Sequence, residues 1–319
     1  MSPDTIDSEI SALHDSRPKR RRAEFYLLAA TLIWGSTFVT QKIGLADVSP
    51  LFFVGSRFVI ASVVLLAAFP RKIVNMDSVT FQKGTALGAL LCIGFLVQTV
   101  GLTQTTASKS AFITGMLVVF TPLMQFVIER QLPKPANIAG VVLVTAGLYL
   151  LTSPEGSDFN VGDGLTLACA VLFAVYIVYL DVVSKDTDII HLTFLQMAVS
   201  GVLALVLALM FEDIHVTFST RFVVVLAYLA TAATLLTTYV QTKFQKDTTP
   251  TRAAIIFSIE PVFAAILAYL LLGEVIGPVG VIGGGVIVAG LLVSQLGDRI
   301  PFLDRSFVPS SEKRSPPDS

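Results

Sequence analysis

The sequence has little charge. Asp, Glu, Lys and Arg make up only 14% of its 319 residues, whereas soluble domains carry about 25%. Hydrophobic residues make up 54% and the mean hydropathy is +0.76, which is more apolar surface than a soluble core needs. The formal net charge is −1, so overall charge favours neither nucleic acid nor a generally basic or acidic partner. This composition predicts a membrane protein whose surroundings are lipids.

Residues that carry metal or redox chemistry are also scarce. The two cysteines, Cys92 and Cys169, lie inside apolar runs, and the three histidines are scattered, which excludes a disulfide framework and a sequence-local zinc motif. The sequence contains no Walker-type motif and only one clear carboxylate in the middle of an apolar run. We therefore predict no metal site, no cofactor and no catalytic residues, and we expect that the protein is not an enzyme.

Long apolar runs are what the sequence has in abundance. A hydrocarbon core takes about 20 helical residues to cross, and the runs predict an all-α protein with ten transmembrane helices: 25–44, 51–70, 84–103, 107–128, 136–152, 163–183, 191–211, 220–241, 251–272 and 277–296. The fifth is the shortest. Lys19 to Arg22 precede the first run as in a signal peptide, but that run is too long and lacks an evident cleavage site. We expect it to be a membrane span.

The basic residues of the loops predict the orientation. With the N-terminus in the cytoplasm, the loops and tails on that side hold most of the lysines and arginines, and only Lys42, Lys109 and Arg221 fall at the opposite face. Such an imbalance is typical of the positive-inside rule. It predicts a multi-pass protein of the cell membrane, plasma or bacterial inner membrane, with both termini cytoplasmic and the loop at 153–162 external.

The sequence also repeats itself. Val97-Gln98-Thr99 recurs in the second half as Val240-Gln241-Thr242, and further upstream a slightly shorter offset pairs Trp34 with Phe173 and Arg57 with Gln196. Each half, 25–152 and 163–296, holds five spans, so the second half enters the membrane from the opposite side. Inverted repeats of this kind are typical of secondary transporters, which bind substrate near the midplane. The tails at 1–24 and 297–319, rich in Ser, Pro and charge, are predicted to be disordered.

Several short motifs resemble the EamA-type branch of the drug/metabolite transporter (DMT) superfamily. They are Trp34-Gly35-Ser36, Arg57, the run from Thr106 to Phe112, and the run from Glu260 to Glu274. The resemblance covers roughly residues 25–296. It implies two EamA repeats, cytoplasmic termini, a central cavity lined by spans one to four and six to nine, and spans five and ten at the periphery.

Glu260 is the sharpest candidate for function, because it lies near the middle of the ninth span, where an ionisable group is costly. Pro261 follows it and should loosen the helix there. Glu260 could carry a proton for coupling or anchor a substrate amine; the structural alternative is a permanent pair with a basic side chain such as Arg57. Arg57 could bind a carboxylate, snorkel towards the interface or form that pair.

Further substrate-binding candidates are polar or aromatic residues deep in the spans. Gln98 and Gln241, matched by the repeat, are favoured as cavity-lining, with hydrogen bonding between helices as the alternative. Trp34 is too deep for an interfacial belt, so it either lines the cavity or packs between helices. The remaining candidates are Ser36, Thr99, Tyr176, Tyr179, Gln196 and Thr242.

The tenth span is rich in glycine, and Gly280 and Gly284 have GxxxG spacing. This spacing permits a homodimer contact or close packing within one protomer.

We expect a secondary transporter that moves a small metabolite, an amino acid or related compound, in the efflux direction. Proton coupling and exchange both stay open. The alternatives are a non-transporting scaffold or receptor and, within transport, a drug exporter or an exchanger of nucleotide sugars or phosphate esters. A cavity for di-anions should present several Lys or Arg residues, and only Arg57 lies well within a span.

Overall fold

The structure, a computed structural model, describes residues 3–152, 160–273 and 277–296. Every regular element in these ranges is a helix. The helices are α1 (Pro3–Gly44), α2 (Pro50–Ala68), α3 (Pro70–Val74), α4 (Ser78–Thr103), α5 (Ala107–Gly115), α6 (Leu117–Glu129), α7 (Pro135–Thr152), α8 (Val161–Ser184), α9 (Ile189–Phe211), α10 (Thr220–Ala230), α11 (Thr237–Phe244), α12 (Pro250–Phe257), α13 (Glu260–Leu272) and α14 (Pro278–Leu296), with a π-helical segment at Thr231–Leu236 and a 3₁₀ turn at Gln245–Asp247.

Within the described residues, eight helical stretches are long and apolar enough to cross a membrane: Pro18–Gly44, Pro50–Ala68, Ser78–Thr103, Ala107–Glu129, Val161–Ser184, Ile189–Phe211, Thr220–Asp247 and Pro250–Leu272. The predicted fifth and tenth spans correspond to α7 and α14, which are shorter apolar helices. The all-helical membrane architecture is thereby confirmed. Large apolar side chains, such as Leu209, Phe211 and Leu270, are exposed on the outer surface, where a lipid environment suits them.

Two spanning stretches are interrupted in their middle. α5 ends at Gly115 and α6 begins at Leu117, while α12 ends at Phe257 and α13 begins at Glu260. The second interruption lies where Pro261 predicted a loosened helix, since Pro261 has no N–H to donate to the carbonyl of Phe257. The sequence did not predict the interruption after Gly115, because Pro122 lies further along, inside α6.

The N-terminal segment differs from the predicted disordered tail. α1 begins at Pro3 and runs without a break into the first span. Residues 153–159 of the predicted external loop and the predicted tail at 297–319 lie outside the described residues.

The two shorter helices, α7 and α14, pack closely against each other through glycines. A Cβ at Gly147 would lie 2.7 Å from the carbonyl oxygen of Gly283, and one at Gly290 would lie 2.9 Å from that of Gly140. Any larger side chain would push the two backbones apart. These glycines therefore allow two helices, one from each half of the chain, to contact each other along their backbones.

The other glycines of α14 bear on the predicted homodimer contact. Gly280 and Gly284 are buried inside the chain, whereas Gly285 is exposed and has open space around it. A contact with a second copy would have to use the outward face that carries Gly285. The homodimer stays a prediction.

At one end of the bundle, the loop after α9 is tied to the loop after α1. Val48 pairs with Val216 in an isolated β-bridge, and Glu212 accepts backbone hydrogen bonds from the first turn of α2. Arg221 contacts both carboxylate oxygens of Asp47, with Nε 3.0 Å from Oδ2. This hydrogen-bonded ion pair holds the pKa of Asp47 below its ordinary value. At the opposite end, Lys72 and Asp188 are 2.8 Å apart.

Candidate functional site

A cavity lies between the helices at the depth of the α5–α6 and α12–α13 interruptions. It has a free internal volume of about 70 Å³ and is lined by Trp34, Thr37, Leu91, Phe95, Gln98, Thr114, Leu117, Phe173, Tyr176, Ile177, Thr238, Gln241, Phe257 and Glu260. Small-molecule sites commonly have mostly apolar walls and a few placed polar groups. This cavity has that character.

Aromatic rings form much of the cavity wall. Trp34 and Phe257 meet edge to face with ring centroids 5.3 Å apart, and Phe95 and Phe173 do so at 5.2 Å. Such edge-to-face pairs are favourable beyond the area they bury. The cavity therefore offers flat apolar surfaces to a ligand.

The polar groups on the wall come from both halves of the chain. Gln98 donates to the hydroxyl of Thr114 at 3.3 Å, and Gln241 donates to Gln245 at 2.9 Å. Glu260 is half-buried and is the only ionisable carboxylate among the lining residues. The described residues form neither a hydrogen bond nor an ion pair with its side chain. The structure therefore does not pair it with Arg57, the structural alternative predicted from the sequence.

The cavity brings together five of the predicted site residues: Trp34, Gln98, Tyr176, Gln241 and Glu260. Three more lie behind its wall in hydrogen-bonded contacts. Gln196 accepts from the Tyr176 hydroxyl at 2.5 Å and donates to the Thr242 hydroxyl at 3.2 Å. The Thr99 hydroxyl donates to Gln41 at 3.3 Å. These contacts connect helices, which is the alternative role considered for such residues.

The remaining predicted residues lie away from the lining. The Ser36 and Tyr228 hydroxyls are 2.6 Å apart, which joins α1 to α10. Tyr179 packs at the edge of the main hydrophobic core. Arg57 is buried behind Phe95. A role in substrate binding stays a prediction for each of these residues.

Sequence reasoning missed several lining residues that the internal repeat could have identified. The offset that joins Trp34 to Phe173 also joins Thr37 to Tyr176. The offset that joins Gln98 to Gln241 also joins Phe95 to Thr238, Thr114 to Phe257 and Leu117 to Glu260. Every member of these pairs lines the cavity. Applying both offsets to each candidate would have added Thr37 and Leu117, although neither residue type suggests a site by itself.

Two ion pairs lie at opposite ends of the bundle, beyond the cavity. Arg252 Nε and Glu24 Oε1 are 3.1 Å apart. Lys109 and Asp163 are 2.7 Å apart. The two pairs are equivalent under the repeat, because Glu24 is the counterpart of Asp163 and Lys109 is the counterpart of Arg252. Each pair therefore connects one half of the chain to the other.

The part of the chain that the structure describes contains no candidate metal site. No group of three or more His, Cys, Asp or Glu residues lies close enough to hold an ion within 3–152, 160–273 and 277–296.

Known proteins resemble this chain over most of its length. An uncharacterized transporter of Archaeoglobus fulgidus is 31% identical over 278 residues, which are 87% of either chain. An S-adenosylmethionine/S-adenosylhomocysteine transporter of Chlamydia muridarum is 24% identical, over 80% of this chain and 86% of its own. A protein crystal structure of 18% identity superposes with a TM-score of 0.74 and covers 88% of this chain and 98% of its own.

A family profile matches the chain more directly. The EamA-like transporter family matches two segments, residues 21–153 and 160–295. Together these segments cover nearly all of the helical part of the chain. The chain therefore belongs to the EamA-like transporter family.

Proposed function

We propose that this protein is a secondary transporter that moves a small metabolite, an amino acid or a related compound, out of the cell by alternating access. The observation that carries the proposal is the cavity, whose walls are built from equivalent residues of the two halves. A site shared between repeats is what a rocking transporter needs, because each half can then move against the other around a fixed ligand.

The halves are proposed to be inverted five-helix repeats of a ten-helix protein. The ends of the helices support this. α5 and α12 begin at Ala107 and Pro250, α6 and α13 span 117–129 and 260–272, and α7 and α14 begin at Pro135 and Pro278. All three pairs are separated along the chain by the same offset as Gln98 and Gln241. The two separate segments that match the family are a further support.

The two equivalent ion pairs suggest how access would alternate. Glu24–Arg252 joins the halves at one end of the cavity and Lys109–Asp163 joins them at the other. A rotation of one half against the other would separate one pair while it keeps the second closed. Each pair would then stabilise one of the two end states, and transport would cycle between them.

The orientation follows from the loop charges, and the contacts are compatible with it. The end that contains Glu24 and Arg252 is proposed to be cytoplasmic, and the end that contains Lys109 and Asp163 external. Both chain termini would then lie in the cytoplasm, and the protein would be a multi-pass protein of the cell membrane. A homodimer through α14 belongs to the same set of proposals.

Glu260 is proposed to support coupling or substrate binding. Its carboxylate faces the cavity without a described partner, and an isolated charge at this depth is costly. A proton or a cationic substrate group would remove that cost. Either event would link the occupancy of Glu260 to the conformation of the halves, which is what coupling requires.

S-adenosylmethionine is a second candidate substrate. The relative from Chlamydia muridarum carries this compound in its name, and the Trp34, Phe95, Phe173 and Phe257 rings could hold an adenine between them. The drug-exporter, nucleotide-sugar and scaffold alternatives have no comparable observation in their favour.

The test is flux through the purified protein in vesicles. Metabolites whose distribution between cells and medium depends on the protein would first be identified by untargeted profiling. Each would then be loaded into vesicles with and without an imposed pH gradient. We expect saturable flux that needs the protein. Vesicles that release no candidate metabolite faster than protein-free vesicles would contradict the proposal.

A further inference from the structure

Arg57 is a charge that no described residue neutralises. Its side chain is 2% exposed, its Nε is buried without a hydrogen-bond partner, and no described residue forms an ion pair with it. Its guanidinium carbon lies 4.4 Å from the ring centroid of Phe95 and 5.1 Å from that of Phe58. Two aromatic faces stabilise a cation only partly, because a guanidinium has five N–H donors to satisfy.

The burial of Arg57 argues against snorkelling. A snorkelling arginine extends its head group to the water at the membrane surface, whereas this head group lies between two rings inside the protein. Arg57 also does not pair with Glu260. Within the described residues, the membrane-spanning helices thus contain a positive charge at Arg57 and a negative charge at Glu260, and neither residue forms an ion pair.

The second half of the chain indicates what the side chain at this position can reach. The counterpart of Arg57 is Gln196, which bonds to the hydroxyls of Tyr176 and Thr242. Tyr176 lines the cavity. A side chain at this position therefore reaches a polar atom at the cavity wall.

In the first half, that polar atom is missing. The counterpart of Tyr176 is Thr37, which lacks the aromatic ring and whose hydroxyl donates to the carbonyl of Trp34. Thr37 lines the cavity as well. The hydroxyl that Tyr176 donates to Gln196 therefore has no equivalent near Arg57. Because a guanidinium only donates, the partner that Arg57 needs is an acceptor, which a ligand in the cavity could supply.

Phe95 lies between the guanidinium and the cavity. It contacts both Arg57 and Phe173, and it is part of the cavity wall. This ring would therefore have to move for a ligand in the cavity to meet the guanidinium.

We propose that Arg57 binds the carboxylate of the transported substrate and that Glu260 binds its cationic nitrogen, which makes the substrate an amino monocarboxylate. A planar guanidinium binds a carboxylate through two parallel hydrogen bonds. A single guanidinium matches a mono-anion, whereas a phosphate di-anion would leave charge uncompensated. This inference rests on the proposed transport function and specifies the ligand of the same cavity.

The chain contains a built-in reporter for the test. Its only tryptophan, Trp34, lines the cavity, so ligand binding should change the intrinsic fluorescence of the purified full-length protein. The probes are the L-amino acids other than tryptophan and tyrosine, each added singly. For every amino acid that changes the signal, the matching amide, which lacks the carboxylate charge, and the matching amine are titrated as well.

We expect at least one amino acid to bind, and its amide to bind about tenfold more weakly or worse, as the loss of a charged hydrogen bond requires. In Arg57→Gln, which introduces the residue found at the equivalent position, the amino acid should bind as weakly as the amide. Arg57→Lys should recover part of the preference. The control Lys72→Gln, which removes a cation from the exposed pair with Asp188, should keep the full preference for the amino acid over its amide.

Two outcomes would overturn the proposal. One is an Arg57→Gln protein that still elutes as a folded species and prefers the acid to the amide as strongly as the unaltered protein. The other is an unaltered protein whose fluorescence responds to no carboxylate. The vesicle flux assay distinguishes failure of this proposal from failure of the proposed transport function. A transporter of neutral or cationic metabolites would fail the fluorescence test, but it would still release its substrate from vesicles.

Discussion

The equivalent ion pairs give the most direct test of alternating access. Arg252→Gln and Lys109→Gln are matched changes, since each removes one positive charge from an equivalent position at opposite ends of the cavity. Both pairs are closed in this structure. If opening one end of the cavity breaks the pair at that end and keeps the other, the two changes must shift the equilibrium between the end states in opposite directions. A general destabilisation would not produce that pattern.

The expected size follows from burial. The side chains of Arg252 and Glu24 are 4% and 10% exposed, and breaking a buried pair by removing one partner costs about 3–5 kcal/mol. Part of that cost is the charge left behind, so we expect the state equilibrium to shift by about 1–3 kcal/mol, or about 5- to 150-fold. The shift for Lys109→Gln should be at the lower end, because Lys109 is 24% exposed.

The assay is the labelling of a cysteine that faces the cavity. Thr238→Cys is placed in a protein whose native Cys92 and Cys169 are replaced by alanine, and an impermeant thiol reagent is applied to vesicles of either orientation. Arg252→Gln should raise the labelling rate from the cytoplasmic side and lower it from the external side, and Lys109→Gln should do the reverse.

A second variant separates the ion pair from the charge left behind. The double change Glu24→Gln with Arg252→Gln removes the pair without leaving a buried charge, and it should still favour cytoplasmic access. The reasoning is refuted if Arg252→Gln and Lys109→Gln change labelling in the same direction, or if neither changes it while both proteins are folded and inserted.

Four further predictions concern other parts of the molecule. Glu260→Gln should leave membrane abundance normal and lower pH-driven flux about tenfold or more, measured in vesicles; undiminished flux with unchanged pH dependence would remove Glu260 from the site. A cysteine at Ser157, outside the described residues, should react with an impermeant reagent only from the external side, and exclusively cytoplasmic labelling would reverse the proposed orientation. Gly290→Ala should lower the free energy of unfolding by about 1–3 kcal/mol through overpacking, measured in a denaturation series. Gly285→Ala, the control, should leave that free energy nearly unchanged. Equal losses in the two variants would show that the α7–α14 contact is not as tight as described. The pKa of Asp47 is lowered by its pair with Arg221, so the pair stabilises the fold above the unfolded pKa of about 3.9 and loses that effect as the pH falls through the lower folded value. The melting temperature of Asp47→Asn should therefore fall less steeply with acid than that of the unaltered protein. Parallel curves for the two proteins would contradict this.

The sequence predicted the helical membrane fold well, because long apolar runs have few other structures available to them. It also predicted a loosened helix at Pro261, because proline removes a backbone donor, and the interruption at Ser258–Ile259 lies just before this residue. It could not locate the equivalent interruption after Gly115, where no proline marks the position. At Gly115 the chain packs closely against a distant segment, since a Cβ there would lie 2.9 Å from Cγ of Pro261, and no local pattern records such a contact.

The candidate site was predictable in part for a similar reason. Glu260 and Gln241 are polar residues in apolar surroundings, and they do line the cavity. Thr99 and Gln196 have the same signal, yet they form contacts between helices. A polar residue at membrane depth needs a partner in either case, so its type does not reveal whether that partner is a protein atom or a ligand. Leu117 and Phe95 carry no polar signal at all.

The pairing of Leu117 with Glu260 and of Thr37 with Tyr176 has an evolutionary consequence. Under the proposed repeat, most cavity positions exist in two copies, so one copy can preserve packing while the other acquires chemistry. The backbone breaks at the same places in both halves, although the side chains there have diverged. Changes of specificity in this architecture can therefore come from single substitutions in one copy, without rebuilding the helices that both copies share.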